Sequence, residues 1–330
     1  MRTSLADLLA TQRVLLADGA TGTNYFLAGL GSGDPPEFWN TTRPDEVTGL
    51  HQRFVDAGAD IILTNSFGAN PQRLKLHNAQ DRTYELARRA AELARQVVDE
   101  SGRPVVVAGS VGPTGELFEP MGALTHGSAV SAFTTQMRGL LDGGADVAWI
   151  ETMSAPEEAN AAAEAAMAVG LPYVITCSFD TAGRTMMGLL PKSLAAAVGT
   201  HPVPPLAIGA NCGVGASDIL VTLLEMQGTP IPLVTKGNCG IPQFQGTKAV
   251  YTGTPGLMAN YARLAVDAGA RIIGGCCGTT PEHLAAMRAA IDTHTPGPAP
   301  TIDSIIGKIG PLTNAAPSET QKKVSRRSRR

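Results

Sequence analysis

Two adjacent thiols, Cys276 and Cys277, follow an apolar run in Ile-Ile-Gly-Gly-Cys-Cys-Gly-Thr-Thr (272–280), where neighbouring cysteines make little sense as packing. A third, Cys212, stands in a matching frame, Ala-Ile-Gly-Ala-Asn-Cys-Gly (207–213), again where an apolar run gives way to glycine. Thiolates at the ends of two strands can grip one soft cation. With no evident fourth protein ligand, the set points to Zn2+ with an exchangeable position, the pattern of catalytic rather than structural zinc. An all-sulfur shell makes zinc a weak Lewis acid but a good holder of an electron-rich sulfur, whereas zinc hydrolases more often use His and carboxylate. A thiol placed there would lose its proton near neutral pH and stay nucleophilic, so the implied chemistry is alkylation at sulfur. A vicinal disulfide and an inert core pair are the competing readings of the dipeptide; an iron–sulfur cluster lacks its Cys-x-x-Cys spacing.

The other two cysteines read differently. Cys177, between Thr176 and Ser178, fits a small buried side chain, and Cys239, in Lys-Gly-Asn-Cys-Gly, falls on a loop that either approaches the metal or merely packs. The six histidines show no metal-binding spacing.

To bring distant sulfurs together, the chain needs strands that end at a common place. Eight short apolar runs qualify, at 13–17, 60–64, 104–108, 146–150, 172–177, 205–210, 231–235 and 271–275. Continuous rather than alternating hydrophobicity is what a parallel sheet buried on both faces requires. Helical patterns lie between most of them, as in Val130, Phe133, Met137 and Leu140. Three helix ends repeat one phrase, Asp56-Ala-Gly-Ala, Asp142-Gly-Gly-Ala and Asp267-Ala-Gly-Ala, read as a capping glycine followed by a strand. Pro44, Pro156 and Pro281 sit where a first helical turn accepts them. This alternation predicts a (β/α)8 barrel, over an open doubly wound sheet that lacks a clean Gly-x-Gly-x-x-Gly. In a barrel, Asp18, Asn65, Glu151, Cys212, Cys276 and Cys277 all end strands at one mouth.

At 330 residues, 43% hydrophobic and 17% charged, the chain can build one large core. We expect a single barrel domain over 1–296 and a flexible Pro/Ser/basic, disordered tail over 297–330. The last 13 residues hold two Lys and four Arg against one Glu, but without aromatics, and the acidic body does not point to nucleic acid. The odd cysteine count, the absence of an apolar leader and the absence of long uncharged apolar stretches suggest a cytoplasmic chain with reduced thiols and no membrane span. A homo-oligomer is compatible with this composition.

The segments Asp18-Gly-Ala-Thr-Gly-Thr, Thr64-Asn-Ser-Phe-Gly-Ala-Asn, Gly112-Pro-Thr-Gly-Glu, Glu151-Thr, Gly209-Ala-Asn-Cys-Gly and Gly274-Gly-Cys-Cys-Gly-Thr-Thr-Pro-Glu-His together resemble the homocysteine S-methyltransferase family, from about residue 10 to 295. Its members include betaine–homocysteine methyltransferase, the S-methylmethionine-dependent enzymes and the homocysteine-binding module of cobalamin-dependent methionine synthase. The resemblance implies a (β/α)8 barrel and a zinc site of Cys212, Cys276 and Cys277, with Asp18 and Glu151 near the amino group of homocysteine. Asn65 is a further candidate substrate contact, and Trp39 a candidate donor contact by cation–π attraction.

The product would be methionine and the donor betaine, a methyl-sulfonium or methylcobalamin. The segments around Asn65, Gly112 and Glu151 are more similar to the methionine synthase module, which implies a corrinoid carried by another polypeptide, since no Asp-x-His-x-x-Gly occurs here. Cys239 stands where the family leads one to expect a small residue without a thiol. The alternatives are a phosphate-binding barrel lyase or isomerase with Gly274-Gly275 as its anion loop, and a non-catalytic zinc or thiol sensor.

Overall fold

The computed structural model describes residues 2–199, 201–245 and 248–313. Its eight parallel strands are β1 (Leu15–Leu16), β2 (Ile61–Leu63), β3 (Val106–Val111), β4 (Val147–Met153), β5 (Tyr173–Cys177), β6 (Ala207–Cys212), β7 (Leu233–Gly237) and β8 (Ala270–Gly275). They hydrogen-bond in chain order from β2 to β8, and β8 returns to β1. The ring closes at a parallel bridge between Ala17 and Ile61, where the Asp60 N–H donates to Leu16 O and the Asp18 N–H to Ile61 O. All eight apolar runs expected as strands are strands, and the fold is the (β/α)8 barrel.

Alternation along each strand explains the two layers of core. Val106, Ala108, Val147, Trp149, Val174 and Val234 fill the barrel interior, while Val107, Ala148, Ile150 and Ile175 face the helices. Both sets are buried, which is why the strands read as continuous apolar runs. The amino-terminal helix, Leu5–Thr11, closes the lower end by adding Leu5 and Leu8 to the interior layer. Ser4 caps it by accepting from the Asp7 N–H at 3.1 Å.

The helix-to-strand phrase behaves as expected. Helices Pro44–Asp56, His126–Asp142 and Pro255–Asp267 are followed by Gly58, Gly144 and Gly269 at φ of +97°, +98° and +91°, a backbone turn that L side chains resist. Pro44, Pro156 and Pro281 each open a helix.

Two features depart from expectation. A two-stranded hairpin, Pro242–Gln245 with Lys248–Tyr251, follows β7 in antiparallel register. The stretch from 297, expected as a flexible appendage, carries a helix, Ile302–Lys308, that buries Ile305 completely. It is anchored by Thr301, which accepts from the Ser304 N–H, and by the Ser217 hydroxyl, which donates to Gly310 O at 2.8 Å. Ile305 and the partly buried Ile309 pack against the core while Ile302 and Ile306 stay exposed, so the ordered body runs past 296. The basic run at 318–330 lies outside the described residues. Among the described residues no helix is long and apolar enough to cross a membrane.

Close strand packing generates the first prediction. A Cβ on Gly209 would stand 1.9 Å from Val234 O, against backbone that cannot give way, so Gly209→Ala should destabilise the barrel by about 3 kcal/mol or more in chemical denaturation. Gly127, in the helix His126–Asp142 with nothing within 4 Å, is the control. Gly127→Ala should be neutral or stabilise by up to about 1 kcal/mol.

Candidate metal centre

Register brings the sulfurs together. In the ladder, Cys212 of β6 lies level with Gly237 of β7, and Gly237 level with Gly275 of β8. The Cys276 N–H then donates to Gly237 O at 2.8 Å, which keeps β8 beside β7 for one further residue. Cys212 ends its strand at φ +62°, turning it out of the ladder into glycine 213. The three Sγ atoms lie within 4.8 Å of one another, with Cys212 and Cys277 4.0 Å apart. Tetrahedral thiolates around Zn2+ at about 2.3 Å would stand about 3.8 Å apart, so the cradle fits such an ion with little adjustment. Among the described residues this is the one cluster of three or more potential metal ligands, and all five cysteines are free thiols.

Two asparagines hold the cradle. Asn211 Oδ1 accepts from the Thr152 N–H at 2.8 Å and the Thr176 hydroxyl at 2.7 Å, while its Nδ2 donates to Thr152 Oγ1 and lies 3.9 Å from Cys276 Sγ. That one side chain ties the ends of β4, β5 and β6 to the cysteine after β8. Asn238 Oδ1 accepts from the Cys277 N–H at 3.0 Å, and its Nδ2 donates to Gly213 O at 2.8 Å and points at Cys212 Sγ at 3.7 Å. N–H groups aimed at sulfur favour the thiolate. Sequence reasoning missed both residues, although the frame Asn-Cys-Gly recurs at 211–213 and 238–240 and marks them.

Without a cation the thiols keep their protons. A hydrogen bond with one neighbouring sulfur, Cys276 for Cys212 and Cys212 for Cys277, pulls these two thiols down, but the bond with the other sulfur, burial and repulsion outweigh it and push both up to about 12. Cys276 lies well above the ordinary thiol value, chiefly through its contact with Cys212. Cys177 is fully buried against the helices and raised to about 12 by burial alone, as its small apolar role predicts. Cys239 is also buried; its N–H donates to Cys277 O, but its sulfur does not join the cluster.

The sulfurs open into a cavity of about 510 Å3 at the mouth of the barrel, which Glu151, Asn65 and Lys236 also line. Glu151 is nearly buried, and its Oε1 accepts from the Ser110 hydroxyl at 2.5 Å. Burial raises its carboxyl above the ordinary range, against the pull of Lys236 and Ser110. Asn65 donates through Nδ2 to Pro36 O and Asn40 Oδ1, so both amide hydrogens are engaged in holding the loop after β2. Glu37, which sequence reasoning did not single out, is a buried carboxylate on the outer wall that accepts from the Gly68 N–H at 2.6 Å.

Two candidate residues sit elsewhere than expected. Trp39 packs in the core, its ring 5.1 Å from that of Tyr25 and covered by the Arg43 guanidinium at 4.4 Å, and it is not part of the cavity wall. Its partner cation is therefore internal. Asp18 lies below the cavity floor, where Oδ2 accepts from the Leu63 N–H and Oδ1 from Lys236 Nζ, both at 2.7 Å. Burial raises its carboxyl, while Lys236 and the Leu63 N–H oppose that rise. The anion-loop alternative loses its donor: Gly274 and Gly275 belong to β8, and the Gly275 N–H donates to Asp18 O.

Comparison with known proteins adds the relatives. The sequence profile described as Homocysteine S-methyltransferase matches residues 15–291. The chain is 33% identical over 313 residues to the methionine synthase of Mycobacterium leprae, covering 89% of this chain and 26% of that protein. The Mycobacterium tuberculosis methionine synthase is 32% identical over 306 residues, covering 88% and 25%. The chain thus spans about a quarter of the length of these curated relatives. Among solved structures, the metallated form of the homocysteine methyltransferase MmuM from Escherichia coli superposes with a TM-score of 0.73 at 26% identity, over 86% of this chain and 98% of that one. The apo form of the same protein gives 0.67 at 26% identity over the same shares.

Because protonated thiols must ionise to hold a cation, metal uptake should release protons and weaken as pH falls. Zn2+ titration of metal-free protein in weak buffer should bind one ion per chain with proton release, and tighten from pH 6 to pH 8. Cys212→Ala, Cys276→Ala and Cys277→Ala should each abolish stoichiometric uptake, whereas Cys177→Ala should retain it. Asn211→Ala should lower metal affinity by about 10- to 100-fold through loss of orientation.

Proposed function

Because this chain belongs to the homocysteine S-methyltransferase family, we propose that it transfers a methyl group to the sulfur of homocysteine, giving methionine, with Zn2+ held by Cys212, Cys276 and Cys277. The observation that carries this reading is the opening of three clustered sulfurs into one cavity that also presents the Glu151 carboxylate. An ion in that cradle would supply a positive charge that lowers the proton affinity of an incoming thiol, while its three thiolate ligands would leave that sulfur electron-rich and nucleophilic.

The chain's own residues do the rest. Glu151, fixed by the Ser110 hydroxyl, receives the substrate ammonium and orients the sulfur. Asn211 and Asn238 hold the cysteine sulfurs in place by side-chain bonds to four strand ends, so the cradle need not reorganise during reaction. Asn65, anchored to Pro36 and Asn40, keeps the loop after β2 at the cavity wall, with its side-chain oxygen available to a substrate donor. The outer wall, with Phe26, Phe67 and Glu37, is where the methyl donor approaches. That donor carries its methyl on a good leaving group: a sulfonium, a quaternary ammonium or a methyl-corrinoid held by a separate protein.

Purified zinc-loaded protein should form methionine from homocysteine with one of betaine, dimethylsulfoniopropionate, S-methylmethionine or methylcobalamin, each supplied separately. No methionine from any of them, with zinc and fold intact, would contradict the assignment. With the productive donor, Glu151→Gln should raise the KM for homocysteine by about 10- to 100-fold, the cost of losing a charged partner, with a smaller effect on kcat.

A further inference from the structure

Lys236 is an uncommon thing to find at the floor of a binding cavity: a lysine whose side chain is 2% exposed, paired with an aspartate that is 1% exposed. Its Nζ donates to Asp18 Oδ1 at 2.7 Å and to the Asp18 carbonyl at 3.2 Å, and it stands 5.9 Å from the ring centroid of Trp149 near the barrel axis. The fold makes room for it, since a Cβ on Gly274 would meet Lys236 Cγ at 2.9 Å. The other Asp18 oxygen is held by the Leu63 N–H. Asp18 therefore has both oxygens engaged from within the protein and does not line the cavity, whereas Lys236 does.

An ammonium has three hydrogens, and Asp18 accounts for two of the bonds that Nζ makes. The third hydrogen belongs to a group that borders the same cavity as Glu151 and the three sulfurs. Of the charged side chains that line the cavity, Glu151 and Lys236, one carboxylate and one ammonium, are the two carried on barrel strands, while Asp34, Glu37 and Arg73 belong to the segments after β1 and β2 and Asp18 does not line it. That pattern complements an α-amino acid thiol, whose own charges are one ammonium and one carboxylate. We propose that Lys236 is a specificity-determining residue that takes the carboxylate of the thiol substrate, with Asp18 as its positioning residue and Glu151 as the partner of the substrate ammonium. The proposal rests on the homocysteine reading above and revises the expectation that Asp18 itself meets the amino group.

Binding to zinc-loaded full-length protein tests it without relying on turnover. Calorimetric titration with homocysteine and with 3-aminopropane-1-thiol, the same thiol amine without the carboxylate, reads the carboxylate's share directly. Wild type should prefer homocysteine by about 10- to 100-fold, the range for a charge-assisted hydrogen bond. The double variant Lys236→Met/Asp18→Asn removes both charges together and avoids a stranded one. It should lose that preference through weaker homocysteine binding, with 3-aminopropane-1-thiol affected little.

A preference that survives in the double variant would overturn the role of Lys236 while leaving the homocysteine reading intact. An equal loss for both thiols would do the same, because it would mark the pair as merely structural. Absence of homocysteine binding by wild type would overturn both readings. Should the double variant fail to keep its zinc and a cooperative melt, Lys236→Arg decides. It keeps the charge but moves the donors, and should weaken homocysteine binding more than that of the smaller thiol; an equal change again refutes the role.

Discussion

The structure depends on strand register at the mouth of the barrel. Cys212, Gly237 and Gly275 lie level on three neighbouring strands, so cysteines 64 and 65 positions apart in sequence meet across a strand that contributes only a glycine there. A slip of one residue in either pairing would turn its side chains to the opposite face and separate the sulfurs. The Asn211 and Asn238 side chains reinforce that register at its ends, where backbone ladder bonds give out.

The cradle so formed is unfavourable until something fills it. Three ionised sulfurs within 4.8 Å would repel one another, and burial adds to the cost of charging them, so in the metal-free protein the protons stay on. A divalent cation reverses that balance, and it links metal content to pH and to the order of the strand ends. Lys236 and Asp18 form a second buried electrostatic unit beneath, one whose two charges already compensate each other. The two units leave Glu151 as the carboxylate facing the sulfurs, held by Ser110 from the adjacent strand.

Much of this was legible in the chain. Continuous apolar runs revealed the strands because both faces of each are buried, and the glycines after three helices marked turns that only a positive φ can make. The cysteines were legible as a cluster because thiols closing apolar runs have few structural uses. Trp39 and Asp18 were not, since their partners are set by tertiary packing: Arg43 and Tyr25 cover the indole, and the lysine that occupies Asp18 lies 218 residues away. The helix Ile302–Lys308 was hidden by a Pro-rich neighbourhood, and of its three isoleucines only Ile305 is buried, so no apolar stripe marks it. Asn211 and Asn238 carried a signal in their repeated frame, but their function as braces needs the distances between strand ends to be seen.

The most direct measurement of the central claim is X-ray absorption at the zinc edge, with and without homocysteine, on protein purified under reducing conditions and assayed for metal. The account predicts one zinc per chain with three sulfur neighbours, rising to four when homocysteine is added. A protein that binds no metal at these cysteines, or whose sulfur count does not change with homocysteine, would contradict it.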